Sequence, residues 1–144
     1  MGQLTMTKDE REAFLAEARV GVLAVTSGGA PLLTPIWYSY EPGGEVLIIT
    51  GGDTPKAALL HEAGTASVCV QTETAPYKYV VVEGTVTIDG DVDDKLRADM
   101  AHRYLGDELG DTYLKATADS VATSVTVRLQ PERWRTTDYG KQWG

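Results

Sequence analysis

Lys56 stands in the stretch ITGGDTPKAALLHEAG, residues 49–64, two positions after a threonine and directly after a proline, where an alanine- and leucine-rich run begins. The chemistry this spacing could do is anion binding. Thr54 suits a helix cap and Pro55 the first helical position, where a missing N–H costs nothing. The first N–H groups of such a helix lack intrahelical partners and point outward toward a negative group. Thr50, Gly51 and Gly52 end the preceding strand-like run with backbone open to close approach, and Lys56 adds a full positive charge. A phosphate or carboxylate there gains about 1.5 to 3 kcal/mol from a charge-assisted hydrogen bond, plus a few tenths from the helix dipole. A surface lysine beside an ordinary glycine-rich cap has the same local sequence, so the rest of the chain has to decide.

Other chemistries lack their residues. Asp89, Asp91 and Asp93 match the first ligand positions of a calcium loop, but Asp94 falls where glycine is required and Met100 where the bidentate glutamate belongs. They read instead as a polar turn whose last aspartates cap a helix. His61 and His102 are distant in sequence, and no second histidine follows His61 at zinc-protease spacing. Cys69 is the one cysteine, in the strand-like ASVCVQ, so it reads as a packed thiol. No metal site is expected. The hydrolase elbow, Walker lysine and dinucleotide-binding glycine patterns are all missing. With 13 basic against 21 acidic residues, the net charge of −8 argues against nucleic acid or an anionic membrane as partner, so any anion site must be local. No apolar run reaches membrane-spanning length and the amino terminus lacks a signal-like core. The expected location is the cytoplasm.

The elements that must hold Lys56 follow from periodicity. Thr7 and Glu10 form a capping-box pattern opening a helix to Ala18. RVGVLAVT, PLLTPIWYSY and EVLIIT read as strands joined by SGGA and EPGG turns; Pro55–Ala63 is the second helix; TASVCVQT and KYVVVEGTVTID continue the sheet. In the latter Val80, Val82, Gly84, Val86 and Ile88 share a face, with Gly84 marking a bulge or close approach. A third helix runs from about Asp93 to Leu105, with a short helical piece near Glu108–Lys115. SVATSVTVRL, residues 120–129, alternates as the last strand, and QPERWRTTDYGKQWG reads as a polar, aromatic, weakly structured tail. Short turns between neighbouring strands exclude a doubly wound parallel sheet. The expected fold is a mainly β (α+β) single domain over residues 1–144: a six- to seven-stranded antiparallel barrel, closed or nearly so, with three to four peripheral helices.

The order and spacing of EREAFLAE, RVGVLAVT, TPIWYSYEPGG, TGGDTPKAALL, SVCVQTETAPYKYVVVEG and a late tryptophan resemble the split β-barrel oxidoreductases that include pyridoxamine 5'-phosphate oxidase. The likeness runs from about Thr7 to Trp134, and is nearest to the actinobacterial branch that uses the deazaflavin coenzyme F420. It implies a homodimer with cofactor in the grooves between subunits. The ring would lie along the second strand, held by backbone groups of Thr34, Pro35, Ile36 and Trp37. The phosphate end would meet Thr50, Gly51, Thr54, Lys56 and Ala57, in agreement with the helix-terminus argument. Gln71 would face the ring, Tyr77, Lys78 and Tyr79 would close over ring or tail, and Trp134 would reach in from the partner subunit. The implied reaction is hydride transfer from the reduced deazaflavin to a small electrophilic organic substrate. It needs no catalytic side chain, although Tyr79 or Lys78 could donate a proton. Users of flavin mononucleotide (FMN) commonly ring the phosphate with several cations, whereas Lys56 is alone near the cap and Lys8, Arg11, Lys78 and Arg133 are candidates for a deazaflavin tail. The family likeness outweighs this thin basic set, and F420 is favoured over FMN. An FMN oxidase or reductase and a non-catalytic cofactor binder are the alternatives; a haem binder lacks a strand histidine.

Overall fold

The computed structural model describes residues 3–143. The first helix, α1 (Lys8–Ala16), starts where the sequence says it should, with Thr7 Oγ1 accepting from the Glu10 N–H while the Glu10 carboxylate accepts from the Thr7 N–H. It ends without a glycine. Its last carbonyls are satisfied from elsewhere in the fold: the Tyr38 hydroxyl donates to Leu15 O at 2.7 Å, Arg19 to Phe14 O at 2.6 Å and Arg103 to Ala16 O at 2.8 Å.

Strands β1 (Gly21–Val25), β2 (Leu32–Ile36), β3 (Val46–Gly51), β4 (Thr65–Gln71), β5 (Lys78–Asp89) and β6 (Ser124–Asp138) form one antiparallel sheet in the order β2-β1-β4-β5-β6-β3. The sheet curls until its two edges meet at a single place, where Ser39, just past β2, exchanges both backbone hydrogen bonds with Leu47 of β3 at 2.9 Å. Inward-facing Leu23, Val25, Val68, Val70, Val80, Val82, Ile48, Val127 and Leu129 fill the interior with at most 1% of their surface exposed. Each is worth roughly 1.5 to 3 kcal/mol in transfer free energy. Leu15 of α1 and Leu60 of α2 (Pro55–Ala63) join them, so both helices are anchored by the core. This is the expected split barrel with its helices peripheral. Gly84 sits at a register shift between β5 and β6, where a Cβ would fall 1.7 Å from Gln130 O, so the expected close approach is real.

Two expectations need correction. The last strand occupies 124–138, not 120–129. Residues Ala118–Thr123 form a 3-10 turn instead, because the side chains of Ser120, Thr123 and Ser124 bond to nearby carbonyls, Ser124 Oγ to Ser120 O at 2.8 Å, and so compete with a strand ladder. The segment 130–138 is a strand despite its polarity, since β5 offers it a partner as far as Lys78↔Asp138. A four-residue helix, α4 (Gly140–Trp143), follows and is tied back by Lys141 to Glu10 and to Thr5 O.

The third helix, α3 (Asp94–Ala116), is capped by Asp93 accepting from the Leu96 N–H, as the failed calcium loop suggests. It is broken at Gly106, whose φ of 82° and ψ of 178° lie outside helical space. Past that glycine the chain folds back. His102 meets Asp111 at 2.8 Å, Arg97 reaches Leu114 and Thr117, and a Cβ on Gly110 would clash with His102 Cδ2 at 2.5 Å. The expected pair of helical pieces is therefore an antiparallel hairpin, its two arms in contact through a glycine.

Candidate binding cavity at the split of the barrel

The free edge of β2 sets up the site. Among the described residues Leu32–Ile36 pairs with β1 on one side only, and the chain reaches β3 only at Ser39, so backbone groups along the other edge are open. Into this gap opens a cavity of about 330 Å³, walled by Pro35, Ile36 and Trp37 of the β2 segment, Ile49 of β3, Lys56 of α2, Val20 before β1, and the hairpin with its 3-10 turn. That volume lies at the small end for ligand sites. It suits a planar ring or an acidic handle more than a whole dinucleotide.

Lys56 is half-buried, and no hydrogen bond or ion pair engages its ammonium among the described residues. Burial lowers its pKa below the usual lysine value, with no neighbouring carboxylate acting to restore it. This is a charge placed at a cost, in a wall, with nothing of its own to neutralise it. The cap geometry singles it out further. Thr54 Oγ1 accepts from the Ala57 N–H at 3.2 Å and donates to Gly51 O at 2.9 Å, which commits Thr54, Ala57 and Gly51 to one another. Gly52 is pressed against the 3-10 turn, its N–H donating to Thr123 O at 2.7 Å, with Thr123 O and Val125 Cγ1 both 3.0 Å from where a Cβ would lie. Close approach is what that glycine permits, but the approaching group is the chain's own turn. Thr50 is buried and paired with Val125. Of the expected phosphate cluster, Lys56 alone lines the cavity.

Of the expected ring-binding run, Pro35, Ile36 and Trp37 line the cavity; Thr34 turns with Leu23 toward the interior. Trp37 is already engaged by aromatic partners. Tyr104 stacks on it at 5.1 Å between centroids and 3° between planes, and Tyr113 tilts against it at 5.2 Å. The Tyr104 hydroxyl sits against both the N–H and the carbonyl of Tyr38 at 3.2 Å, standing in for the strand neighbour that β2 lacks.

Gln71 and Tyr79 are cross-strand neighbours on the outer sheet face. Continuing the β1–β4 register past Val22↔Cys69 sets Gln71 beside Val20, at the margin of the cavity rather than in its wall. Tyr77 is exposed at the β4–β5 hairpin, and Lys78 is tied by its N–H to Thr72 Oγ1 at 3.0 Å. Trp134 belongs to β6. It pairs with Val82 on the inward face, packs on the core, meets Tyr40 edge-on at 6.2 Å and lies under the Arg11 guanidinium at 4.7 Å. These contacts within its own chain leave Trp134 partly buried, with Arg11 engaged over the same ring.

The hairpin supplies what sequence reasoning missed: Arg97, Met100, Ala101, Tyr113, Thr117 and Ser120 all line the cavity. Their helical spacings, 97 with 101 and 113 with 117, mark a shared face on each arm. Only the fold at Gly106 turns those two faces toward one gap.

A protein-family model described as pyridoxamine 5'-phosphate oxidase matches residues 7–138. Among solved structures, the conserved hypothetical protein Rv2991 from Mycobacterium tuberculosis is 23% identical with a TM-score of 0.78, covering 100% of this chain and 92% of that one. A structure described as an F420 reductase is 20% identical with a TM-score of 0.71, covering 86% and 94%. A FAD-binding protein from Mesorhizobium loti is 22% identical with a TM-score of 0.65, covering 91% and 92%. Curated protein sequences give no match.

Proposed function

The chain belongs to the pyridoxamine 5'-phosphate oxidase family, and from that premise we propose that it is an oxidoreductase that uses the deazaflavin coenzyme F420 to reduce a small electrophilic organic substrate. One observation carries the proposal: the half-buried Lys56 ammonium, without a partner among the described residues, opens into the same cavity as the free edge of β2. The residues fit such a cofactor at both ends. Lys56 and its own N–H, left over from the cap, would hold an acidic group; the backbone edge beside Pro35–Trp37 would take the hydrogen-bonding rim of the ring. The likeness to an F420 reductase supports the deazaflavin; the likeness to a FAD-binding protein supports a flavin such as FMN as the second reading.

When bound, a reduced deazaflavin supplies a hydride to an electrophilic carbon. The chain's own part is to orient and to dry the site. Met100, Ala101 and Ile36 are buried beneath the cavity and exclude water from its floor. Trp37, fixed between Tyr104 and Tyr113, gives one wall a rigid aromatic surface. Lys56 lowers the cost of bringing an anion into a partly apolar space. No carboxylate or imidazole lines the cavity among the described residues, in keeping with a reaction whose chemistry resides in the cofactor. A fluorescence titration of the same apo-protein with F420 and with FMN tests the assignment. Tighter binding of F420 is expected; preference for FMN selects the second reading, and binding of neither ends both.

We further propose a homodimer formed through the outer sheet face. Pro35, Val22, Cys69 and Val81 run side by side across four strands, and Leu33 next to them is 63% exposed. Glu83, bridged to Arg135 at 3.2 Å, borders this apolar row. A second copy would cover the row and bring another surface up to the cavity margin at Val20 and Gln71. Leu33→Glu should halve the mass measured by light scattering; a monomeric wild type would remove the proposal. No helix among the described residues is long and apolar enough to cross a membrane, and we place the enzyme in the cytoplasm.

A further inference from the structure

Arg97 projects from the first arm of α3 into the wall of the cavity that also holds Lys56. We infer that Arg97 forms a second anion subsite there, so that the cavity selects a ligand with two separated acidic groups, a phosphodiester at Lys56 and a carboxylate at Arg97; this rests on the cofactor reading above.

The guanidinium is half-buried and held in place by one nitrogen, since Nη2 donates to Leu114 O at 2.8 Å and to Thr117 Oγ1 at 2.7 Å. Capping the end of the second arm uses no more than that. Nε and Nη1 have no partner among the described residues, although a guanidinium carries donors on all three nitrogens in a planar fork. Four of the six other arginines find acids, while Arg11 lies over the Trp134 ring and Arg103 donates to Ala16 O. Arg19 pairs with Glu17, Arg128 with Asp89 and Glu45, and Arg133 and Arg135 with Glu83. In a protein with 21 acidic residues and a net charge of −8, an arginine facing a cavity with no carboxylate in its lining is a position kept open. The fork geometry suits a carboxylate, taken through two parallel hydrogen bonds. Ser120, Ser124 and Thr117 of the same wall spend their hydroxyl protons on Thr117 O, Ser120 O and Tyr113 O, so the uncommitted donors there are those of Arg97. Arg97 and Lys56 enter the lining from different elements, the first arm of α3 and the start of α2.

Three forms of one deazaflavin ring test this by fluorescence titration: the uncharged alcohol, its phosphate monoester, and the cofactor with phosphodiester and carboxylates. Arg97→Gln should weaken the carboxylated form about tenfold or more while the other two stay within about twofold. Arg97→Lys, which keeps the charge and loses the fork, should fall between and serves if the glutamine variant does not fold. Equal losses for all three forms would mean that Arg97 only braces the hairpin, and unchanged affinities that it faces solvent; either overturns the subsite while leaving the cofactor reading intact. A wild type that binds none of the three overturns both.

Discussion

Inside the barrel, Leu23, Val68, Val80, Val82 and Leu129 leave no surface to water and carry no polar side-chain atom that needs a partner. At the split, between elements anchored in that same core, Lys56 and Arg97 are half-buried with donors uncommitted, beside an edge strand whose hydrogen bonds are incomplete. The first region is stable because every local choice agrees with its neighbours. The second departs from that agreement at a cavity where a ligand could restore it, which is the usual mark of a functional site on a well-made scaffold. The contrast predicts that substitutions in the two regions will move different observables: stability for the interior, affinity for the split.

The largest effect should come from Gly84. A methyl group there would lie 1.7 Å from the Gln130 carbonyl, a backbone atom that cannot move without breaking the β5–β6 register. Gly84→Ala should cost about 3 kcal/mol or more in urea unfolding, or prevent soluble expression. Wild-type stability in this variant would mean that the interior yields as readily as the split, and the contrast would fail.

Lys56 should behave in the opposite way. Lys56→Met removes a charge that folding buries, so the apo-protein should gain stability while cofactor binding weakens by about 1.5 to 3 kcal/mol. The sign follows from the lowered pKa. Folding disfavours the charged form, so the cost is fully present below the folded value and fades as pH rises toward the ordinary 10.5; the stability advantage of the variant should fade with it. Affinity of the wild type for an acidic ligand should fall over the same rise, as the ammonium is lost. Loss of stability in Lys56→Met would show that the side chain packs rather than waits.

Much of this contrast was legible in the sequence. Strict alternation in KYVVVEGTVTID and the Thr54–Pro55 start of α2 locate the interior and the cap, because both depend on local periodicity and local backbone geometry. What escaped was whatever depends on a distant partner. Residues 130–138 are polar, yet form a strand because β5 is long enough to pair with them. Residues 120–123 alternate, yet turn because the Ser120 and Thr123 hydroxyls find carbonyls three residues back. The inward packing of Trp134 depends on Arg11 and Tyr40, each far along the chain. Tyr113 and Thr117 reach the wall that Arg97 lines only through the reversal at Gly106. A pattern can mark a face as shared; it cannot say which face another element will meet.

The smallest effect probes the comparison through a cation that does have a partner. Lys141 holds Glu10 at 2.6 Å, in the open, where it ties α4 to the capping box of α1. That hydrogen bond, with the Thr7 N–H second, brings the Glu10 pKa down from 4.5 to about 2. A carboxylate lowered in this way contributes stability that is present above pH 4.5 and lost as pH falls toward 2. Glu10→Gln cannot titrate, so its thermal midpoint should lie slightly below that of wild type at neutral pH and the two should converge in acid. Because both side chains are solvated, the gap should also narrow with added salt, as exposed ion pairs do. The Lys56 effect, inside a half-buried wall, should resist the same salt far better. Parallel pH curves for the Glu10 variant, or equal salt sensitivity at the two lysines, would show that the cavity cation is as well hydrated as the surface one, and the distinction between the two regions would lose its electrostatic basis.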